Sequence, residues 1–302
     1  MTYKKHSPLQ EIPLPGGRIR LWVKRDDLLH PHISGNKMRK LKYNLAEMRR
    51  RGKNTLLTYG GAFSNHIAAT AAAGHEGDFR TVGIIRGERP PGGNATLNFA
   101  ESCGMHLHFV SRAAYRQKDS PEFGEELRAR FGDFYLLPEG GSNLFALPGC
   151  AEIITETETE IRPDYYCVPV GTGGTAAGML TGMTGGKLLA FSALKGDFLA
   201  GEIDRLLRRS GNDIRAEYRV LTEYHHGGYA KFTSELIDFI NDFKYSYGIP
   251  LDPLYTGKMF YGIFDLLRRD FFAAGSTVVA VHTGGLQGIK GFNARFGELL
   301  DV

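Results

Sequence analysis

Short apolar runs of strand length alternate with helical patterns along most of this chain. The runs lack the polar alternation of a half-exposed strand, which is typical of strands buried on both faces of a parallel sheet. Amphipathic patterns predict helices at Lys37–Arg51, Phe232–Tyr247 and Met259–Phe272. This alternation predicts an α/β fold with doubly wound, mainly parallel sheets. The predicted strands are Asn54–Gly61, Phe79–Gly87, Met105–Ser111, Phe134–Pro138, Tyr165–Gly171, Lys187–Leu194, Arg215–Leu221 and Ser276–Gly284.

The length of 302 residues favours two lobes, because a single hydrophobic core stops growing near this size. The first predicted strands fall between about residues 50 and 140, and the others follow after about residue 150. We therefore expect two doubly wound lobes, each built on a mainly parallel sheet. In such folds, ligands bind where loops leave the carboxyl ends of the strands.

Composition and charge argue against several classes of protein. The 37 Lys and Arg residues against 33 Asp and Glu residues give a net charge of +4, spread along the chain, so we expect no nucleic-acid partner. The three cysteines have no CxxC spacing, which favours a reducing cytoplasm and no metal site. The sequence has no signal-like apolar segment and no membrane-length apolar run, so we expect no membrane partner. The acidic run Glu156–Glu160 predicts a solvated helix face.

The segment Ser34–Leu41 places a small-residue turn directly before an amphipathic helix. Lys37 and Lys40 lie one turn apart at the start of this helix, where cations oppose the helix dipole. A bound phosphate or carboxylate would remove that conflict. The alternative interpretation is that both lysines belong to an exposed helix face.

A second segment, Thr58–His66, ends a strand and leads into a helix of small residues from Ile67 to Ala73. Ser64 or Asn65 can cap this helix, and the free N–H groups of its first turn can bind a carboxylate. Helix capping alone would explain both residues, so both interpretations stay open.

The third segment, Val168–Gly178, runs from a buried strand through a glycine-rich turn into a helix. Backbone N–H groups and two hydroxyl groups at a helix N-terminus are typical of a phosphate site. The spacing also matches the dinucleotide fingerprint G-x-G-x-x-A, but the next strand ends in Ser192 and Ala193, with no acidic residue for a ribose. Phosphate binding is therefore favoured over nicotinamide binding, with a plain tight turn as the alternative.

Polar groups from the C-terminal part of the chain complete the set. Thr283 follows a strand, and Tyr229 and Tyr255 lie beside glycine or proline in predicted loops. The sequence contains no G-x-S-x-G, H-E-x-x-H or Gly-Lys-Ser/Thr phosphate loop, which argues against the common hydrolase, metalloprotease and ATPase classes. A candidate amine, a carboxylate site and a phosphate site without a ribose acid suit pyridoxal 5′-phosphate (PLP) acting on a small amino acid.

With these motifs in order, the chain resembles the fold-type II PLP enzymes of the 1-aminocyclopropane-1-carboxylate deaminase and D-cysteine desulfhydrase group. The resemblance covers nearly the whole chain and implies a tryptophan synthase β-like fold. It implies a large PLP-binding domain at residues 1–49 and 147–302, a small domain at 50–146, PLP between them, and a homodimer. The motifs that carry it are Trp22–Leu28, Ser34–Leu41, Ser64–His66, Gly171–Thr175, Tyr255–Lys258 and His282–Gly285.

The resemblance also implies roles for individual residues. Lys37 bonds to the cofactor's aldehyde, Asn36 and Lys40 help to hold its phosphate, and Asn65 contacts its phenolic oxygen. Ser64, Asn65 and His66 receive the substrate carboxylate. The implied catalytic residues are Lys37, Ser64, Tyr229 and Tyr255, and we expect nearby cations to lower the pKa of the two phenols. The implied phosphate cradle consists of Gly171, Thr172, Gly173, Gly174 and Thr175.

Two threonines bear on the reaction. In the group that this chain resembles, cyclopropane deaminases have Glu and Leu at the positions of Thr256 and Thr283, whereas desulfhydrases have Thr at both. The chain therefore resembles the desulfhydrases, with Thr256 or Thr283 at the pyridine nitrogen of the cofactor. Deamination of 1-aminocyclopropane-1-carboxylate, another PLP lyase reaction, and non-catalytic binding of a small molecule remain the alternatives. Where the group often has Arg after the Ser-Asn-His motif, this chain has Ala68 and Ala69, so we expect different electrostatics near the entrance.

Overall fold

The computed structural model of the protein describes residues 6–92 and 94–301. Within these residues the strands form two sheets, one of six strands and one of four. The strands are β1 (Leu9–Ile12), β2 (Arg20–Lys24), β3 (Thr55–Gly61), β4 (Arg80–Arg86), β5 (His106–Val110), β6 (Tyr135–Leu137), β7 (Tyr165–Val170), β8 (Lys187–Ser192), β9 (Glu217–Leu221) and β10 (Thr277–Val281). The helices are α1 (Asn36–Arg50), α2 (Asn65–Gly77), α3 (Ala95–Ser102), α4 (Arg112–Tyr115), α5 (Pro121–Phe131), α6 (Leu147–Glu158), α7 (Gly174–Gly182), α8 (Phe198–Ser210), α9 (Ser234–Tyr247), α10 (Thr256–Arg268) and α11 (Gly288–Phe296).

The six-stranded sheet has the order β1-β2-β10-β7-β8-β9. Only the β1–β2 pair is antiparallel among the described strands, and the other pairs are parallel. Successive side chains of β7 alternate between two separate cores, with Cys167 on one face and Tyr166 and Val168 on the other. Both faces are therefore covered, which confirms the doubly wound α/β class expected from the apolar runs.

The four-stranded sheet has the order β5-β4-β3-β6 and is parallel throughout. One of its faces is covered by α1 and α2, since Met38 and Leu41 pack with Leu56 of β3 and Ala69 of α2. The β3–β4 register places Gly61 beside Arg86 at the carboxyl edge of this sheet. The predicted division of the chain into domains at 1–49 with 147–302 and at 50–146 stays a prediction.

All of the predicted strands form, but β1 and β2 were not predicted. Strand β2 begins with Arg20 and ends with Lys24, so its apolar run is only three residues long. Lys24 is nevertheless buried, because its ammonium pairs with Glu156 at 2.8 Å. Helix α10 also begins earlier than the apolar pattern predicted, at Thr256 rather than Met259.

The prediction of a solvated face at Glu156–Glu160 is wrong for Glu156, which is only 8% exposed. Arg39 donates to its two carboxylate oxygens at 2.6 and 2.9 Å. Asp26 accepts two further hydrogen bonds from Arg39, both of 2.8 Å. With Lys24, these residues form a buried cluster of two cations and two carboxylates under α1. Partners so distant in sequence cannot be recognised from a local run of acidic residues.

Two further properties concern the described part of the chain as a whole. Of the helices formed by residues 6–92 and 94–301, none is both long and apolar enough to span a membrane. In the same ranges, no group of three or more His, Cys, Asp or Glu side chains is arranged to hold a metal ion.

Candidate active site

A cleft of about 270 Å³ opens between the two sheets, at the carboxyl ends of β3, β4 and β7. Thirteen of the predicted site residues line it: Asn36, Lys37, Lys40, Ser64, Asn65, His66, Gly171, Thr172, Gly173, Thr175, Tyr229, Tyr255 and Thr283. The other two are buried beside it, Gly174 at the start of α7 and Thr256 at the start of α10. The fold therefore brings together residues from segments that are far apart in sequence.

Lys37 enters the cleft from the first turn of α1. The helix begins here because Gly35 adopts a φ of +65°, and Asn36 donates its backbone N–H to the Thr283 carbonyl at 3.2 Å. A Cβ on Gly35 would lie 1.8 Å from that carbonyl oxygen, so no other residue fits. The turn before α1 is thus locked to the loop that follows β10.

The amine of Lys37 is poised for chemistry near neutral pH. Its burial, together with the charge of Lys40, lowers its pKa from 10.5 to about 7, although Cys150 and Asp252 act in the opposite direction. The Nζ atom donates to Asn36 Oδ1 at 3.0 Å. Above pH 7 the neutral amine predominates, which is the form that attacks an aldehyde or accepts a proton.

Lys40 is held by the opposite side of the cleft. Its ammonium donates to the Gly140 carbonyl at 3.1 Å and to Ser142 Oγ at 3.0 Å. Ser142 Oγ in turn lies 2.6 Å from Thr172 Oγ1. Lys40 therefore connects α1 to the glycine-rich turn through neutral acceptors, and burial lowers its pKa below the usual value.

The glycine-rich turn leads from β7 directly into α7. Gly173 adopts a left-handed φ of +77° at the N-cap, and Gly173, Thr175 and Ala176 line the cleft, so the N-terminus of α7 lies at the cleft. Asn36 Nδ2 donates to Thr175 Oγ1 at 2.8 Å, which joins this turn to α1. A Cβ on Gly174 would lie 2.4 Å from Ser142 Oγ, so close packing accounts for that glycine.

Ser64 and Asn65 begin α2 at the end of β3. Ser64 Oγ accepts the backbone N–H of Ile67 at 3.3 Å, so Ser64 is the N-cap. Asn65 Oδ1 accepts a hydrogen bond of 2.7 Å from Gln287 Nε2, which leaves Asn65 Nδ2 as the donor of this amide. Capping and ligand binding are compatible here, because the cap uses the N–H of Ile67, whereas Asn65 and His66 of the same first turn line the cleft.

His66 is a neutral imidazole. Thr58 Oγ1 donates to the Leu137 carbonyl at 2.8 Å and therefore accepts the Nε2–H of His66, also at 2.8 Å. Burial, with the charges of Lys37 and Lys40, holds the pKa of His66 well below its usual range. Its Nδ1 atom is buried and has no hydrogen-bond partner among the described residues. Nδ1 can only accept a hydrogen bond, so it cannot bind a carboxylate. At His66, a carboxylate would therefore be bound by the backbone N–H.

Tyr229 and Tyr255 form the remaining wall, with ring centroids 6.3 Å apart. The expectation of a lowered phenol pKa is wrong. Burial raises the pKa of Tyr229 despite the nearby charge of Arg86. Burial also raises the pKa of Tyr255 well above its usual value, with Tyr229 and Asp252 acting in the same direction. Both phenols are protonated at neutral pH and can donate protons.

The two threonines have different surroundings. Thr283 lines the cleft, immediately after β10. The Thr256 hydroxyl donates to Asp252 Oδ1 at 2.7 Å and accepts the Asp252 backbone N–H at 2.9 Å. The other carboxylate oxygen of Asp252 accepts the N–H groups of Leu254 and Tyr255 at 2.9 and 2.8 Å. Thr256 therefore belongs to the turn that sets the start of α10.

Sequence reasoning missed several charged and polar residues of this region. Arg86 and Glu139 line the cleft, Gln287 contacts the lining residue Asn65, and Lys258 contacts Gly228, which directly precedes the lining residue Tyr229. Arg86 is the last residue of a correctly predicted strand, so the rule that ligands bind at carboxyl ends could have identified it. Gln287 gave no such signal, and Lys258 stood only as the last residue of the Tyr255–Lys258 motif, because the partners of both are distant in sequence.

The cleft fits PLP on its own geometry. It combines a lysine of lowered pKa with a helix N-terminus, two threonine hydroxyls and the ammonium of Lys40 at one end. The N–H groups of α2 and the hydroxyl of Thr283 lie at other points of the lining. Two parallel-sheet lobes with such a cleft between them define the class of fold-type II PLP enzymes.

Comparison with known proteins identifies the family. The chain belongs to the family described as pyridoxal-phosphate dependent enzyme, whose profile matches residues 3–284. It is 32% identical to the bifunctional D-cysteine desulfhydrase/1-aminocyclopropane-1-carboxylate deaminase, mitochondrial, of Arabidopsis thaliana, over 94% of this chain and 77% of that protein. The family, the cofactor and the enzymatic nature expected from the sequence are thereby confirmed: this is a PLP-dependent enzyme of the lyase and deaminase type.

Solved structures agree with this assignment. The crystal structure of an ACC deaminase homologue superposes with a TM-score of 0.85 at 27% identity, covering 98% of this chain and 94% of that chain. A fungal L-serine ammonia-lyase from Rhizomucor miehei superposes with a TM-score of 0.66 at 14% identity, with 94% of each chain covered. The second similarity shows a shared fold.

Proposed function

We propose that the protein eliminates the β-substituent of a small amino acid and that D-cysteine is its substrate. D-cysteine and one water would give pyruvate, ammonia and hydrogen sulfide. The observation that carries this proposal is the presence of Thr256 and Thr283 where the resembling deaminases have Glu and Leu. The Arabidopsis relative, whose name includes D-cysteine desulfhydrase, supports the same reaction.

The residues that line the cleft would contact different groups of the cofactor. Lys37 would bond to its aldehyde, and Lys40 with the Gly171–Thr175 turn would hold its phosphate. Asn65 Nδ2 is the free donor for its phenolic oxygen, and Thr283 is the better placed threonine for its pyridine nitrogen. When bound, PLP withdraws electrons from the substrate and so makes its Cα proton acidic.

The protein's own groups supply orientation and proton transfer. The N–H groups at the start of α2, beside Ser64, would hold the substrate carboxylate. The amine of Lys37, once displaced by the substrate, would accept the Cα proton, because its pKa of about 7 favours the neutral form. Tyr255 or Tyr229, both protonated, would donate a proton to the departing sulfur.

A second candidate is deamination of 1-aminocyclopropane-1-carboxylate, which yields 2-oxobutyrate and ammonia. The name of the Arabidopsis relative includes this activity too. The same cleft could serve it, with a tyrosine beside the ring carbon that must be protonated. A hydroxyl at Thr283 stabilises the pyridine nitrogen without fixing a charge there, which favours elimination of a good leaving group over ring opening.

Two linked measurements test the proposal. The protein is loaded with PLP, reduced with borohydride and digested, and the pyridoxyl group is located by peptide mass. It should lie on Lys37, and a label on another lysine would contradict the site. The loaded protein is then given D-cysteine, L-cysteine and 1-aminocyclopropane-1-carboxylate.

Sulfide and pyruvate from D-cysteine support the proposal, whereas 2-oxobutyrate without sulfide establishes the second candidate. Lys37→Ala is the matched control and should release neither product. PLP attachment without turnover of any amino acid would indicate a non-catalytic binder.

A further inference from the structure

Lys258 is a buried cation whose ammonium contacts backbone carbonyls. Lys258 is 1% exposed, and within residues 6–92 and 94–301 no carboxylate lies within ion-pair distance of its ammonium. The ammonium donates to the Gly228 carbonyl at 2.8 Å and approaches the Ala193 carbonyl at 3.5 Å. Burial lowers its pKa to about 8, although Asp252 acts in the opposite direction. Burying an unpaired charge is costly, so its retention calls for an explanation.

The loop that Lys258 contacts has an unfavourable backbone. His226 and Ala230 adopt left-handed φ angles of +48° and +55°, which disfavour residues with a Cβ. Gly228, between them, has a φ of +108°. Such a conformation persists only when its surroundings hold it in place. The bond from Lys258 to the Gly228 carbonyl is a contact from outside the loop that does so.

The position of Lys258 connects three parts of the cleft wall. It lies one helical turn after Tyr255 on α10. Gly228 directly precedes Tyr229, which is 39% exposed and lines the cleft. Ala193 directly precedes Leu194, another lining residue. The Lys258 ammonium therefore fixes the loop that carries Tyr229 to helix α10, which begins directly after Tyr255.

We propose that Lys258 is a positioning residue that holds Tyr229 against Tyr255 over the cleft. It does not touch the cofactor or the substrate, and it acts through the Gly228 carbonyl. The functional part of this inference rests on the proposed role of the tyrosines in proton transfer. The structural part, which concerns the order of the 225–231 loop, is independent of that role.

The structural part is tested by hydrogen exchange measured by mass spectrometry. Lys258→Met keeps the length and packing of the side chain but removes its donors. Exchange in the peptide spanning 225–231 should rise about tenfold or more, because local opening becomes easier, while α9 should keep its protection. Lys231→Met, a change of an exposed lysine in the same loop, is the matched control and should leave exchange there unchanged.

If Lys258→Met does not fold, Lys258→Gln takes its place, since it retains an N–H donor of shorter reach and should show a smaller rise. Unchanged exchange in a folded variant overturns the proposal. Equal loosening of the whole protein also overturns it, because that result would make Lys258 an ordinary core residue.

The functional part is tested by a double-mutant cycle with Tyr229→Phe. Lys258→Met should keep PLP on Lys37 with the same absorption spectrum but lower kcat by about tenfold or more, since a proton-transfer group contributes ~10²–10⁴-fold. Adding Lys258→Met to Tyr229→Phe should lower kcat little further, because both substitutions remove the same function, proton transfer by Tyr229. Fully multiplicative effects contradict the positioning role. A wild-type protein that turns over none of the tested amino acids contradicts the proposed function instead, and the exchange result then still decides whether Lys258 orders the loop.

Discussion

Gly35 and Thr283 approach so closely that a Cβ on Gly35 would lie 1.8 Å from the Thr283 carbonyl oxygen. This contact joins the turn before Lys37 to the loop that follows β10. We predict that Gly35→Ala destabilises the protein by about 3 kcal/mol or more, from overpacking and a left-handed backbone together. Denaturant unfolding of the cofactor-free protein measures the change.

Gly52→Ala is the matched control for that substitution. Gly52 has nearly the same φ, +66°, but no described atom lies within 4 Å of the Cβ position. Gly52→Ala should lower the free energy of unfolding by about 1 kcal/mol, from backbone strain alone. Equal losses of unfolding free energy in Gly35→Ala and Gly52→Ala would show that the close approach of Gly35 to Thr283 contributes nothing to stability.

Lys37 should react as a neutral amine near neutral pH. Since its pKa is lowered to about 7, the fraction of neutral amine is small below pH 7 and nearly complete by pH 9. In cofactor-free protein, the rate of acetylation of Lys37, followed by peptide mass, should therefore reach half its maximum near pH 7. Lys40→Met removes a like charge and should move this midpoint to higher pH. A midpoint that stays in place in Lys40→Met contradicts the electrostatic explanation.

Glu156 should contribute stability that depends on pH. Burial opposes its ionisation, but Arg39 and Lys24 outweigh this effect and lower its pKa to about 2. Its contribution is therefore complete above an ordinary carboxyl pKa and lost as pH falls toward 2. Glu156→Gln should cost about 3–5 kcal/mol at pH 7, because it removes the carboxylate that pairs with the buried Lys24 and one of those that pair with Arg39.

Glu160→Gln, in the exposed part of the same acidic run, should change the unfolding free energy by less than about 0.5 kcal/mol. Unfolding curves at pH 7 and pH 3 separate the two glutamates, since the difference between wild type and Glu156→Gln should shrink at the lower pH. A constant difference across this range would contradict the assigned pKa.

Local patterns in the sequence predicted most of the fold and the centre of the site, and their failures have physical causes. Buried parallel strands reveal themselves as apolar runs, and the glycines before α1 and α7 mark turns that only glycine permits. Strand β2 and the burial of Glu156 were missed because the charges of Lys24 and Glu156 are neutralised by partners far away in sequence. The raised pKa of Tyr255 was missed for a related reason: it comes mainly from burial, and burial follows from the tertiary fold.

Thr283→Val and Thr256→Val should have different consequences. Thr283 lines the cleft, so loss of its hydroxyl should shift the absorption of bound PLP and lower kcat about tenfold or more, at little cost in stability. The Thr256 hydroxyl bonds to Asp252, so its loss should cost about 1–3 kcal/mol of unfolding free energy. Spectra, kcat and unfolding curves of both variants check this. A spectral shift in Thr256→Val alone would reverse the assignment of the pyridine partner.

Arg86 should attract the substrate carboxylate toward the cleft. It lines the cleft from the end of β4, with its guanidinium 5.6 Å from the centre of the Tyr115 ring, and it has no ion-pair partner within residues 6–92 and 94–301. An unpaired cation at a cleft entrance raises the local concentration of an anionic group, an effect that salt screens. Arg86→Met should therefore raise KM several-fold with kcat nearly unchanged, and the difference from wild type should shrink at high ionic strength. Arg89→Met, which changes an exposed arginine paired with Glu101 nearby, should leave KM unaltered. A fall in kcat at constant KM would instead place Arg86 in the proton-transfer step, through its charge beside Tyr229.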